Sequence, residues 1–181
     1  TQDMIGSGYE LSSGTIAGYN AADAFNNNLD SWKSVQQGLD VITDPAYIGY
    51  DFGTEKTRIP NPDVVVDRYN PPAPIKKQIR TIKIKQGDDD TSRASQIRIE
   101  ASNDGITWLR VDVINLTNTP DLVTYGVKQS SIYRMWRLVP TLFRGINSNS
   151  SWEVVEIQML EDNQLSLLDV QDSILMENRD R

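Results

Sequence analysis

Short runs of alternating apolar and polar residues, each closed by a turn signal, follow one another from residue 40 to residue 160, and no long helical pattern interrupts them. Strict alternation turns one face of a strand to a core and the other to water, so a chain written this way folds as antiparallel sheets. "AYIGYDFG" (46–53) sets Ile48, Tyr50 and Phe52 against Tyr47, Gly49 and Asp51 and stops at Gly53. "IRTIKIKQ" (79–86) sets Arg80, Ile82 and Ile84 against Ile79, Thr81, Lys83 and Lys85. "IRIEASNDGITWLRV" (97–111) is two strand-like runs around Asn103, Asp104 and Gly105, residue types that accept the positive φ of a tight reversal. "VDVINL", both halves of "YGVKQSSIYRMWRLVP" and "WEVVEIQML" continue the series, while "GDDDTSR" (87–93) and "INSNSS" (146–151) read as loops. The alternation assigns Trp108, Trp136 and Trp152 to strands facing the core.

The flanks are written differently. Residues 1–18 are rich in Gly, Ser and Thr and read as an extended arm. Residues 19–34 are small and polar around Phe25 and Trp32, and the run Asn26, Asn27, Asn28 opposes a regular helix. Five of the eight prolines fall between residues 54 and 74, a long excursion between strands. Near the C-terminus, Leu167, Val170 and Ile174, joined by Leu168 and Leu175, have the spacing of an amphipathic helix. The expected organisation is an arm (1–18), a β domain (19–162) and a helical connector or tail (163–181). The first residue is Thr1, which reads as a piece of something longer.

Composition narrows the chemistry. Apolar residues are 38% of the 181 and charged residues 24%, enough to build a core. With no cysteine there is neither a disulfide nor a thiolate metal site, and with no histidine the commonest general base is missing. Catalysis would rest on carboxylates alone, and no Asp/Glu spacing singles out a pair. A net charge of −7 argues against nucleic acid, whose phosphates need a basic field. No apolar run approaches the ~20 residues of a membrane helix.

Four stretches, in order, resemble the motifs of the discoidin domains, also called coagulation factor 5/8 type C domains, of the galactose-binding-domain-like superfamily. These are "NAADAFNNNLDSWKS", "YIGYDFG", "IRIEASNDGITWLRV", and "YRMWRLVP" followed by "WEVVEIQML". The resemblance spans about residues 18–161. It implies an eight-stranded antiparallel jelly-roll barrel and a non-catalytic adhesion module that reads glycans or cell-surface ligands through loops at one end. It places such a module outside the cell or on a virion surface. The alternative is a structural module, for example in a phage tail or baseplate, that only contacts other subunits or domains of a larger assembly.

By position, the ligand loops of the family correspond to Trp32 and its neighbours, to residues 87–93 and to residues 142–151. Sugar recognition needs planar polar groups for hydroxyl pairs and an aromatic face for stacking. The candidates are Trp32, Asp89, Arg93, Arg144, Asn147 and Asn149, although Trp32 matches the buried structural tryptophan of the family better than a ligand contact. Arg134 and Arg137 flank Trp136 and either line the barrel end or lie on the surface. The resemblance also implies a structural Ca2+ tying the first loop to the last strand, with Asn26, Asn28, Asp30 or Ser31, and Glu156 as its ligands. Calcium prefers six to eight oxygens, and Asn26 replaces the usual aspartate, so affinity falls. The other reading of this loop is an uncharged turn held by asparagine hydrogen bonds.

Overall fold

Gly105 has φ +74°, the left-handed conformation that its turn demands. The computed structural model describes residues 8–35, 46–53, 73–128, 131–144 and 151–161. The expected C-terminal helix, most of the proline-rich excursion, Asn147 and Asn149 lie outside these residues. Nine strands run through the described chain: β1 (Tyr9–Ser13), β2 (Trp32–Lys33), β3 (Tyr47–Asp51), β4 (Thr81–Gln86), β5 (Ala94–Ser102), β6 (Leu109–Asn115), β7 (Val123–Gly126), β8 (Met135–Phe143) and β9 (Glu153–Leu160). Five form one antiparallel sheet in the order β1-β3-β8-β5-β6, and four form a second in the order β2-β9-β4-β7.

The two sheets make a sandwich, not the closed eight-stranded barrel that the resemblance implies. Among the described residues no ladder passes from one sheet to the other. Two isolated bridges tack the sheets together, Thr15 to Ser34 beyond the β1 and β2 edges and Lys77 to Tyr133 between the segments that lead into β4 and β8. The physical reason is strand length: β2 has two residues and β7 four, too few to carry a register around the circumference. The segment read as an arm contributes β1, which pairs with β3 so that Tyr9 faces Asp51 and Ser13 faces Tyr47.

Alternation accounts for the core. Ile48, Tyr50 and Phe52, Ile82 and Ile84, Ile97 and Ile99, Trp136 and Leu138, and Val154, Ile157 and Met159 all meet between the sheets. Trp32 and Trp152 pack edge to face with ring centroids 6.0 Å apart, a geometry that the ring quadrupoles favour. Gly49 is required by close approach: a Cβ there would fall 2.1 Å from the Trp136 carbonyl oxygen of β8.

Trp108 departs from the expectation. The Asp104 carboxylate accepts from the amides of Ile106 and Thr107 at 2.9 and 2.8 Å and from the Ser102 hydroxyl at 2.9 Å, which prolongs the turn. Those amides, Thr107 first, hold its pKa down at about 2. The returning strand therefore begins only at Leu109, and Trp108 is half-buried on the outside of the sheet instead of in the core.

Among the described residues one ionic group has no exposed surface at all. Asp51 is fully inaccessible and accepts from Arg134 Nε at 2.8 Å, from Arg134 Nη2 at 2.7 Å and from the Gly53 amide at 2.8 Å. Burial pushes its pKa up. The bonds from Arg134, Gly53 and the Tyr9 hydroxyl more than offset this and leave it below the usual carboxylate value. The pair joins β3 to the segment that leads into β8 across 83 residues of sequence.

Candidate functional site

The strand order carries three connections to one end of the sandwich: residues 87–93 between β4 and β5, residues 116–122 between β6 and β7, and the start of the β8–β9 connection at Arg144. Polar turn residues fill them, and the buried Arg93 side chain joins the first two. Arg93 is 6% exposed. Its Nε donates to the Gly87 carbonyl at 2.8 Å, its Nη2 to the Asp88 carbonyl at 2.6 Å and its Nη1 to Asn118 Oδ1 at 3.0 Å. Arg144 ties in the third connection, its amide donating to the Arg93 carbonyl at 3.2 Å and its Nη2 to the Leu116 carbonyl at 2.8 Å. Beneath them Gln86 Oε1 accepts from the Ala94 amide and from Trp152 Nε1, both at 2.9 Å.

On the rim, Asp89 is exposed and accepts from the Thr91 hydroxyl at 2.8 Å and the Thr91 amide at 3.0 Å. These two bonds, the hydroxyl first, hold its carboxyl below the usual range. Asn118 is exposed as well, beside Thr119, whose hydroxyl donates to Asp121 at 2.7 Å. At the adjoining start of β9, Glu153 pairs with Lys33 at 3.1 Å and accepts from the Ser31 hydroxyl at 3.0 Å. Carboxylate, amide and guanidinium groups on a braced rim suit the paired hydroxyls of a sugar.

The residues expected to bind ligand separate into groups. Asp89 and Arg144 are exposed at this end. Arg93 is at the same end, but it is a brace whose guanidinium is spent on the protein. Trp32 is wholly buried, with Nε1 donating to Thr15 Oγ1 at 2.8 Å, and it has no face left for a sugar. Arg134 and Arg137 are elsewhere: Arg134 serves Asp51, and Arg137 lies on the outer face of the five-stranded sheet, flanked by Tyr47 and Trp108. The loop of Asn118, Thr119 and Asp121 was not anticipated, although "NTPD" carries a Pro-Asp turn signal between two strands.

The first loop fits calcium poorly. Asn26 Oδ1 accepts from the Asn28 amide at 3.1 Å, Asn28 Oδ1 from the Asp30 amide at 2.8 Å, and Asp30 Oδ2 from Asn28 Nδ2 at 3.1 Å. Ser31 is turned to Glu153, and Glu156 Oε1 accepts from Gln158. The oxygens that a hard cation needs are thus engaged by local donors. Among the described residues no three acidic side chains converge as metal ligands.

No protein-family model and no curated protein sequence matches the chain. Solved structures do resemble it. Chitosan-binding module 1 from a chitosanase/glucanase of Paenibacillus sp. IK-5 superposes with a TM-score of 0.60 at 15% identity, covering 88% of this chain and 99% of that one. The family 32 carbohydrate-binding module of AlyQ, in complex with 4,5-unsaturated mannuronic acid, gives 0.58 at 18% identity over 85% and 95%. The family 32 module of Clostridium perfringens NanJ, in complex with galactose, gives 0.56 at 11% identity over 84% and 92%. The chain therefore shares the β-sandwich fold of these modules, in line with the fold that the resemblance implied.

Proposed function

We propose that this chain is a non-catalytic glycan-binding module that works outside the cell and reads its ligand with the rim of loops 87–93 and 116–122 and Arg144. The observation that carries this reading is the pair of arginine braces, Arg93 joining loops 87–93 and 116–122 and Arg144 joining the third connection to both, which fixes the three in one arrangement before any ligand arrives. Preorganisation of that kind lowers the ordering penalty of binding. The superposed modules, named for chitosan, galactose and unsaturated mannuronate, support the class of ligand without choosing among sugars. Immobilised-glycan arrays test it. The native chain should give discrete hits, and Arg144→Ala should weaken them about tenfold, the loss of one charged hydrogen bond, with an unchanged far-ultraviolet spectrum. A native chain with no hits would favour the alternative, a module that contacts only other subunits of a larger assembly.

The first loop works without a cation. Thermal melts in calcium and in chelator should superimpose. Calcium at about a hundred times its dissociation constant would add about 2.7 kcal/mol if it bound the folded state alone, and a shift of that size would restore the metal site.

A further inference from the structure

The outer face of the five-stranded sheet carries a second concentration of charge and aromatic surface, away from the loop rim. The Arg137 guanidinium carbon on β8 lies 4.7 Å from the Tyr47 ring centroid and 4.0 Å from that of Trp108. The two rings are 6.4 Å apart. Trp108 Nε1 donates to the Gly105 carbonyl at 3.1 Å, which anchors the indole to its own turn. Glu100 on β5, opposite Arg137 in register, accepts from Arg137 Nε at 2.7 Å and from Arg98 Nε at 2.6 Å. On β6, Arg110 stands directly opposite Glu100 and is exposed. Three arginines against one glutamate leave this face positive on a chain whose net charge is −7.

Such a face selects its ligand. Stacking between two rings and a bond to Glu100 hold Arg137 rigid, so its fork is oriented in advance. The Arg98 side chain keeps 33% of its surface in solvent, and with Arg110 it offers planar donors that fit a carboxylate or a sulfate. On the same face of the sheet, the side of the half-buried Trp108 indole that Arg137 does not cover suits the apolar face of a pyranose. We propose that this face binds an anionic polysaccharide, one sugar ring lying on Trp108 and its carboxylate or sulfate paired by Arg98 and Arg110. A polynucleotide would present the same charge, but its closely spaced phosphates would also meet the negative remainder of the chain. The proposal uses none of the rim residues, so it stands or falls separately from the glycan reading of the loops.

The test is isothermal titration of the full 181-residue chain at low salt against oligogalacturonate, the same oligomer fully methyl-esterified, a sulfated galactan, a neutral galactan and a single-stranded oligonucleotide. Oligogalacturonate or the sulfated galactan should bind, and whichever binds more tightly identifies the anion. The esterified and neutral polymers should bind at least tenfold more weakly. Arg110→Gln and Arg98→Gln should each weaken binding about tenfold, the equivalent of one charged hydrogen bond. Arg80→Gln, which removes an exposed arginine outside this face, should leave it unchanged. Trp108→Ala should also weaken it, and since that change can disturb the hairpin, the exposed Arg110 decides. No binding of either anionic polymer, undiminished binding in both arginine variants, equal binding of the esterified oligomer, or tighter binding of the oligonucleotide would each overturn the proposal.

Discussion

Arg134→Met should lower the unfolding free energy by about 3 kcal/mol at neutral pH, among the largest losses open to a single substitution in this chain. The loss comes less from the missing attraction than from what is left behind. Asp51 has no exposed surface, and without the guanidinium fork it keeps only the Gly53 amide and the Tyr9 hydroxyl. The pH dependence identifies the mechanism. In the native protein the Asp51 pKa is depressed, so its contribution is complete above the unfolded carboxylate value of about 3.9 and is lost as pH falls toward the folded value. In Arg134→Met, burial dominates and raises the Asp51 pKa. Protonation then relieves the unpaired charge, and the gap between native and variant should narrow as the solution is acidified. Urea melts at neutral and mildly acidic pH check this, together with Asp51→Asn/Arg134→Met, whose loss should be smaller than the sum of the two single losses. A gap that stays constant with pH would remove Asp51 from the explanation.

Arg93→Ala should cost about 2–4 kcal/mol and also abolish ligand binding at the rim. It deletes donors to the Gly87 and Asp88 carbonyls and to Asn118, and leaves the buried Gly87 carbonyl unsatisfied where water enters poorly. Arg93→Lys should rescue little, because one ammonium cannot span three acceptors that the planar fork reaches together. Hydrogen exchange separates this from general destabilisation. The amides of Gly87 and Ser92 should exchange early in the variant, while those of β5 and β8 follow the global stability. Uniform acceleration across the chain would mean that Arg93 stabilises the core and does not brace the rim in particular.

Alternation made the long strands legible. β3, β4, β5, β8 and β9 each read correctly because a half-buried strand must repeat every two residues, and Ile48, Ile82, Ile99 and Ile157 all carry that repeat into the core. β1 and β2 escaped for opposite reasons. β1 is an edge written in Tyr, Glu, Leu and Ser without a clean apolar face, and β2 is only two residues long. Trp108 was misplaced because period counting ran through the turn, whereas Asp104 captures two further amides and delays the strand. The rim was legible as loops but not as roles. Whether an arginine in a loop is a brace or a contact depends on partners such as Asn118, 25 residues away, which spacing in one sequence cannot reveal. The Asp51–Arg134 pair was hidden for the same reason.

The order of strands within the sheets has a consequence for how the molecule forms. β8 lies between β3 and β5, and β9 lies between β2 and β4. The last two strands of the described chain are thus the interior members of both sheets, and until they arrive β3 has no route to β5 and β2 has none to β4. On a ribosome delivering about 5–20 residues per second, the β1–β3, β4–β7 and β5–β6 ladders can pair early but stay apart, and β2 has no neighbour at all, until β8 and β9 arrive. Assembly is consequently a late, concerted step dominated by distant pairings, which belongs to the slow range of milliseconds to seconds. Fragments ending before residue 135 should remain unfolded however well their own strands are patterned.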